Sequence, residues 1–187
     1  VLEEAQDEFA PRLPAGQQPI RIIIAHTMDE FMQHARAFSQ VSVTGIARSR
    51  EGLIVLKGPR LLNVENDYRG TLRHELVHVL LYRNTNPAYL PAWLNEGLAM
   101  RLANEYRWQS ALRVGEMFLG NRIVEYHKLD SAFRTPGNDF DFSDAYAQAL
   151  SMTRHLHEKL GEEIFWEVVL GTNARPFEEA LEYHANI

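Results

Sequence analysis

His74-Glu75-Leu76-Val77-His78 reads H-E-x-x-H, inside a pattern that turns helical from about Asn66 onward. Two His at i and i+4 lie about 40° apart around a helix and roughly 6 Å along it, so both imidazoles can reach one metal ion. Glu75 stands about 100° from His74, beside the ligands and not aimed at the metal. A carboxylate there can act as a base on water that a metal activates. By the same arithmetic Thr71, His74, Glu75, His78 and Tyr82 share one arc of the helix, with Leu72, Leu76, Val79 and Leu80 on the opposite side. Chance placement gives this motif in roughly 3 chains in 100 of this composition. The helical context and a third ligand therefore have to support it.

Working outward, the third ligand is sought first. A metzincin extension needs Gly at position 81 and His at 84, where this chain has Leu81 and Asn84. The alternative is a carboxylate from the next helix, and Trp93-Leu94-Asn95-Glu96-Gly97-Leu98-Ala99 supplies Glu96. Pro91 suits the first helical position, which puts Glu96 within the first two turns. Gly97 would let two helix backbones approach closely. His74, His78 and Glu96 around zinc leave one coordination position open, as a catalytic site requires.

Upstream, residues 1–18 form a lead-in: a short acidic helix bearing Glu3, Glu4, Asp7 and Glu8, then an extended run broken by Pro11, Pro14 and Gly16. Ile20–Ala25 predicts a strand, and Thr27 with Glu30 a capping box for a helix burying Phe31, Ala35 and Phe38. Val41–Ala47 and Leu53–Leu56 are two further strands, joined as a hairpin through Arg48–Gly52, and either can offer its edge to an extended peptide. Downstream, residues 121–141 read mostly as loop, and Ser143-Asp144 as the cap of a helix carrying Tyr146, Leu150, Leu156 and Leu160. Strands first and helices after predict an α+β fold, and 187 residues predict one domain over 1–187.

Composition bounds the function. A net charge of −6 with scattered Arg argues against nucleic acid or an anionic membrane as partner. No apolar run approaches the roughly 18 residues that span a membrane. The lack of Cys removes thiolate zinc sites and Cys nucleophiles together. Val1 in place of an initiating Met points to a mature form or an excised fragment. Of the other His residues, His26 and His34 read as surface or packing, His127 as a loop residue able to reach a cleft, and His155 and His157 as pointing to different faces. His184 lies near the C-terminus, and Trp93 and Trp166 read as core or cleft wall.

His74–His78 followed by Trp93–Ala99 resembles the gluzincin metallopeptidases, specifically the peptidase MA-like domains related to the aminopeptidase-N-like and thermolysin-like zincins. Aminopeptidase-N-like enzymes show H-E-x-x-H, a spacer of 18 and L-N-E-G; here the spacer is 17 residues, and their GAMEN-type exopeptidase signature is absent. Asp144–Leu150 resembles the following helix of these families, in which a Tyr stabilises the oxyanion, and Tyr146 stands at the matching position. The resemblance, over roughly residues 20–170, implies a zincin-like fold, one zinc ion per chain, a peptide or protein substrate and a bacterial extracytoplasmic setting. It implies a peptidase in which His74, His78 and Glu96 hold zinc, Glu75 is the general base and Tyr146 the oxyanion donor. Two rivals remain: a catalytically silent zincin-fold module that binds a peptide or partner, and a structural zinc site. Intact Glu75 and Tyr146 oppose the first. The second normally closes four protein ligands around the metal, and only three are found.

Overall fold

A computed structural model of the chain describes residues 2–36, 43–62, 68–104, 107–134 and 142–185. The fold is α+β, with a small mixed sheet near the N-terminus and helices through most of the rest. Two compact units divide it, Val1–Asn84 and Thr85–Ile187. No helix among the described residues is long and apolar enough to cross a membrane.

In the first unit the β-branched run near Ile22 becomes β1 (Arg21–Ala25), and the two later runs become β2 (Gly45–Arg48) and β3 (Leu53–Lys57). The sheet order is β1-β3-β2, with β1 parallel and β2 antiparallel to β3. As the central strand, β3 is buried at every position, which its unbroken Leu-Ile-Val-Leu sequence allows. The hairpin turns through a short 3-10 segment, Ser49–Glu51, and closes on Gly52 at φ 59°, a left-handed conformation that favours glycine. The predicted strand from Val41 starts later than expected: Val43 and Thr44 precede β2 as irregular chain, and Val41 lies outside the described residues.

Between β1 and β2 runs α2 (Met28–Ala35). Its capping box forms as predicted: Thr27 Oγ1 accepts the Glu30 N–H at 3.1 Å, and the Glu30 carboxylate accepts the His26 N–H at 2.7 Å. Phe31 and Ala35 bury against Ala25, Leu53 and Val55 on one face of the sheet. Full burial of Phe31 alone contributes about 1.5–3 kcal/mol. Phe38 lies outside the described residues.

The other sheet face receives α3 (Tyr68–Asn84), which packs on β2 and β3. The lead-in wraps the same helix. From α1 (Leu2–Phe9), Glu8 accepts two hydrogen bonds from the Arg73 guanidinium at 2.7 and 2.8 Å, and Glu4 one from Arg69 at 3.0 Å. At the far end of α3, Arg83 donates to the Gln18 carbonyl at 3.0 Å and Asn84 to that of Pro14 at 2.9 Å.

The regular elements of the second unit are all helices among its described residues: α4 (Ala92–Ala103), α5 (Arg107–Leu119), α6 (Tyr126–Arg134), α7 (Phe142–Leu160), α8 (Glu162–Gly171) and α9 (Phe177–Ala185). The loop expected over residues 121–141 is corrected by α6. Leu129 and Ala132, three apart, bury one face of that helix, and its Asp130 carboxylate accepts the Ala92 N–H at the start of α4. The helix has no cap signal in the sequence, which is why composition alone read it as loop. Pro91 is the N-cap of α4 and not its first residue, a shift of one position.

Candidate metal centre

Within α3, Leu76, Val77, Val79, Leu80 and Leu81 are buried, while His74 and His78 are half-buried one turn apart. Their ring centroids lie 4.8 Å apart with the rings nearly perpendicular. The i, i+4 spacing thus brings two imidazoles into reach of a common ion, as read from the sequence. Neutral imidazole nitrogen is a usual zinc donor.

Glu75 is buried, at 8% exposure. It turns toward β2, where its Cγ lies 3.1 Å from where a Cβ at Gly45 would stand. Thr71, one turn earlier, makes the neighbouring contact: its Cγ2 is 2.9 Å from that same point, and its hydroxyl lies 3.4 Å from the Thr44 hydroxyl. A missing side chain at Gly45 therefore lets a sheet edge close over the Glu75 stem, which sequence reading did not identify. The available signal was a glycine opening a strand, which often marks close backbone approach. Pairing with β3 alone among the described residues makes β2 the edge strand beside this helix. Tyr82, expected on the same arc, is exposed.

In the second unit Glu96 sits half-buried in the second turn of α4. The predicted close approach at Gly97 is present. A Cβ there would stand 2.0 Å from Thr153 Oγ1 and 2.6 Å from the Ala149 carbonyl oxygen, both on α7. Tyr146, also half-buried, lies on α7 with its ring edge-on to Phe133, centroids 5.2 Å apart.

Among the described residues, α7 begins at Phe142, one residue before the predicted Ser143-Asp144 pair. Asp144 is buried and takes Arg113 Nε at 2.6 Å and an Arg122 nitrogen at 2.5 Å. Gln148 adds a two-bond clamp: its amide donates to the Val124 carbonyl at 2.7 Å and accepts the Val124 N–H at 2.9 Å. Asp144 and Gln148 flank Tyr146 on its helix and fix the turn that carries it. Both partners come from distant segments, so no local pattern could have shown them.

The remaining histidines separate from this set. His26 and His155 are exposed. His34 is half-buried, and its carbonyl accepts Arg48 at 2.8 Å. His157 pairs with Glu162 at 2.6 Å, and His184 with Glu167 at 3.5 Å. The His127 side chain lies outside the described residues. Trp93 and Trp166 are buried, as expected.

Residues 12–180 match the family model of the peptidase MA superfamily. The chain belongs to that superfamily, as the resemblance of its H-E-x-x-H and Trp93–Ala99 segments implied. Comparison with curated proteins and with solved structures finds no match.

Proposed function

We propose that this member of the peptidase MA superfamily is a zinc-dependent peptidase, with His74, His78 and Glu96 as the metal ligands. The observation that carries the reading is the donor set. Among the described residues these three form a group that could hold a metal ion, with one ligand atom from each lying within 4.8 Å of the others. Two imidazoles and one carboxylate suit zinc and leave a coordination position for chemistry. Such an ion, when bound, polarises a carbonyl and makes water acidic enough to attack near neutral pH.

The chain's own residues supply the rest. Glu75 takes the proton of the attacking water on a carboxylate oxygen and passes it to the nitrogen of the leaving amine. Its buried stem beside Gly45 and Thr71 restricts the carboxylate to a few rotamers, so little ordering remains to be done at the moment of reaction. The Tyr146 hydroxyl donates to the carbonyl oxygen as that oxygen gains charge. Asp144 and Gln148 act through Tyr146, as positioning residues. The edge of β2 offers backbone groups with which an extended peptide substrate can pair.

One set of variants tests the assignment. Purified protein should carry about one zinc per chain, and Glu96→Ala should lose it at concentrations where the parent keeps it. Glu75→Gln should retain zinc and fold while cleavage of a peptide library falls to background. Tyr146→Phe should keep zinc and melting temperature, with kcat about 10²–10³ lower and a smaller change in KM. Full zinc occupancy in Glu96→Ala would remove Glu96 from the ligand set. Parental cleavage rates in Glu75→Gln would end the mechanism. A zinc-loaded parent that cuts nothing in the library would favour the binding module.

A further inference from the structure

Thr153 stands in the middle of α7 and is fully buried. Leu98 and Ala99 of α4 and Ala149 and Leu150 of α7 are fully buried as well. A Thr hydroxyl inside a helix ordinarily donates to the carbonyl four residues back, here that of Ala149. Thr153 Oγ1 instead makes no hydrogen bond with any described residue. A buried hydroxyl left in that state costs stability, and Val would fill nearly the same volume without the cost. Such a group calls for a compensating role.

The role lies across the contact, at Gly97. A Cβ built on Gly97 would stand 2.0 Å from Thr153 Oγ1, so the Cα hydrogen that takes its place points at the oxygen. A Cα–H···O contact settles at about 3.3–3.6 Å between heavy atoms, whereas two carbon atoms settle at about 3.5–4.0 Å. An oxygen at this point lets α4 come roughly 0.3 Å nearer to α7 than a methyl group would. The Ala149 carbonyl oxygen, 2.6 Å from the same built Cβ, is backbone and sets a second stop beside the first. Two stops on one glycine fix both the depth and the rotation of α4 on α7.

Glu96 immediately precedes that glycine, and Tyr146 lies about two turns before Thr153 on α7. One contact thus registers the helix of Glu96 against the helix of Tyr146. We propose that Thr153 is a positioning residue for the metal centre: its hydroxyl oxygen, seated on Gly97, sets where α4 holds the Glu96 carboxylate. The inference rests on Glu96 being a zinc ligand, as proposed above. Metal sites lose about 10–100-fold in affinity when groups that position a ligand are removed.

Zinc affinity of the purified full chain, measured by competition with a chelating indicator, tests it beside a thermal melt of each metal-free protein. Thr153→Val puts a methyl group against Gly97 and should weaken zinc binding about 10-fold. Thr153→Ser keeps the oxygen and should bind within about 2-fold of the parent. Val168→Ala removes buried volume from α8. It should lower the melting temperature and leave zinc affinity at the parental value, which separates position from stability. If Thr153→Val does not fold, Thr153→Ala takes its place, because it only removes atoms. It should weaken zinc binding about 3-fold or more, since α4 loses one of its stops. Affinity within about 2-fold of the parent in Thr153→Val, or in Thr153→Ala where that variant stands in, would overturn the proposal. So would equal weakening in Thr153→Ser and Thr153→Val, which would assign the effect to the Thr methyl group, or equal weakening in Val168→Ala. A parent that binds no zinc would overturn the ligand reading itself, and the proposal with it.

Discussion

The two units hold their site-bearing helices by different physics. In the first, the lead-in is fastened to α3 largely by charge: Glu8 on Arg73, Glu4 on Arg69, and backbone carbonyls on Arg83 and Asn84. Glu4 and Glu8 are more than half exposed, so each pair contributes only about 0.2–1 kcal/mol. In the second, α4 and α7 meet at Gly97 with no room for one more atom. Flexible charged side chains readjust when one is lost, whereas backbone in van der Waals contact does not. Tolerance to substitution should therefore be high along the lead-in and low between α4 and α7. Gly45 tightens the contrast, because it is the point where the first unit also relies on a missing side chain.

The largest effect is expected at Gly97→Ala. The new Cβ meets both the Thr153 hydroxyl and the Ala149 carbonyl oxygen, and the second is backbone. Overpacking of this kind should cost about 3 kcal/mol or more, a drop in melting temperature of roughly 6–12 °C for a chain this long. Adding Thr153→Ala should recover only part of that, since the Ala149 oxygen stays in place. A melt within about 2 °C of the parent would show that α4 and α7 slide apart freely, and the contrast would fail.

Gly45→Ala should be milder in stability and sharper in function. Its Cβ would meet only side-chain atoms: Leu56 Cδ2 at 2.8 Å, Thr71 Cγ2 at 2.9 Å and Glu75 Cγ at 3.1 Å. Those can shift, at about 1 kcal/mol. The shift displaces Glu75, the base proposed above, and displacement of such a group by even part of an ångström slows chemistry more than binding. We expect kcat to fall about 10-fold with KM nearly constant. A proportional fall in activity and folded fraction would reduce Gly45 to a packing residue.

The same contrast explains what could be read from the sequence. The pairing of His74 with His78 was legible because both imidazoles sit on one helix, where spacing fixes direction. Glu30 capping α2 and the glycine at position 97 were legible for the same reason: each is a local rule. Gly45 over Glu75, and Asp144 between Arg113 and Arg122, were not, because their meaning lies in segments brought together only by folding. Asp144 suggested a helix start by the local rule, and its ion pairs with Arg113 and Arg122 add a role that only folding reveals. The helix Tyr126–Arg134 was missed because two buried residues, Leu129 and Ala132, decide it, and a Tyr-His-Lys opening carries no N-terminal signature.

The smallest effect is expected at Glu8→Gln, in the tolerant region. Arg73 is mostly buried and keeps its contact over the Phe9 ring at 4.8 Å whatever happens at position 8. The substitution removes the charge of the pair and turns one of the two accepting oxygens into an N–H donor. The bidentate hydrogen bond from Arg73 holds the Glu8 carboxyl below its ordinary value of 4.5, with burial opposing and the charges of Arg73 and Arg69 assisting. A carboxyl whose folded pKa is depressed stabilises above its unfolded value and loses that contribution as the pH falls through the folded one. The parent should thus exceed Glu8→Gln by about 0.5–1 kcal/mol at pH 7, after the discount that exposure demands. The two should converge as the pH drops below 4.5 and the parent carboxyl takes up its proton. Urea melts of both proteins at pH 7 and pH 3 measure this. A gap that survives at pH 3 would assign the effect to the helix or to packing, and not to charge. A gap above about 2 kcal/mol at pH 7 exceeds what an exposed pair supplies. It would mean that the lead-in is held as rigidly as Gly97 holds α4 to α7.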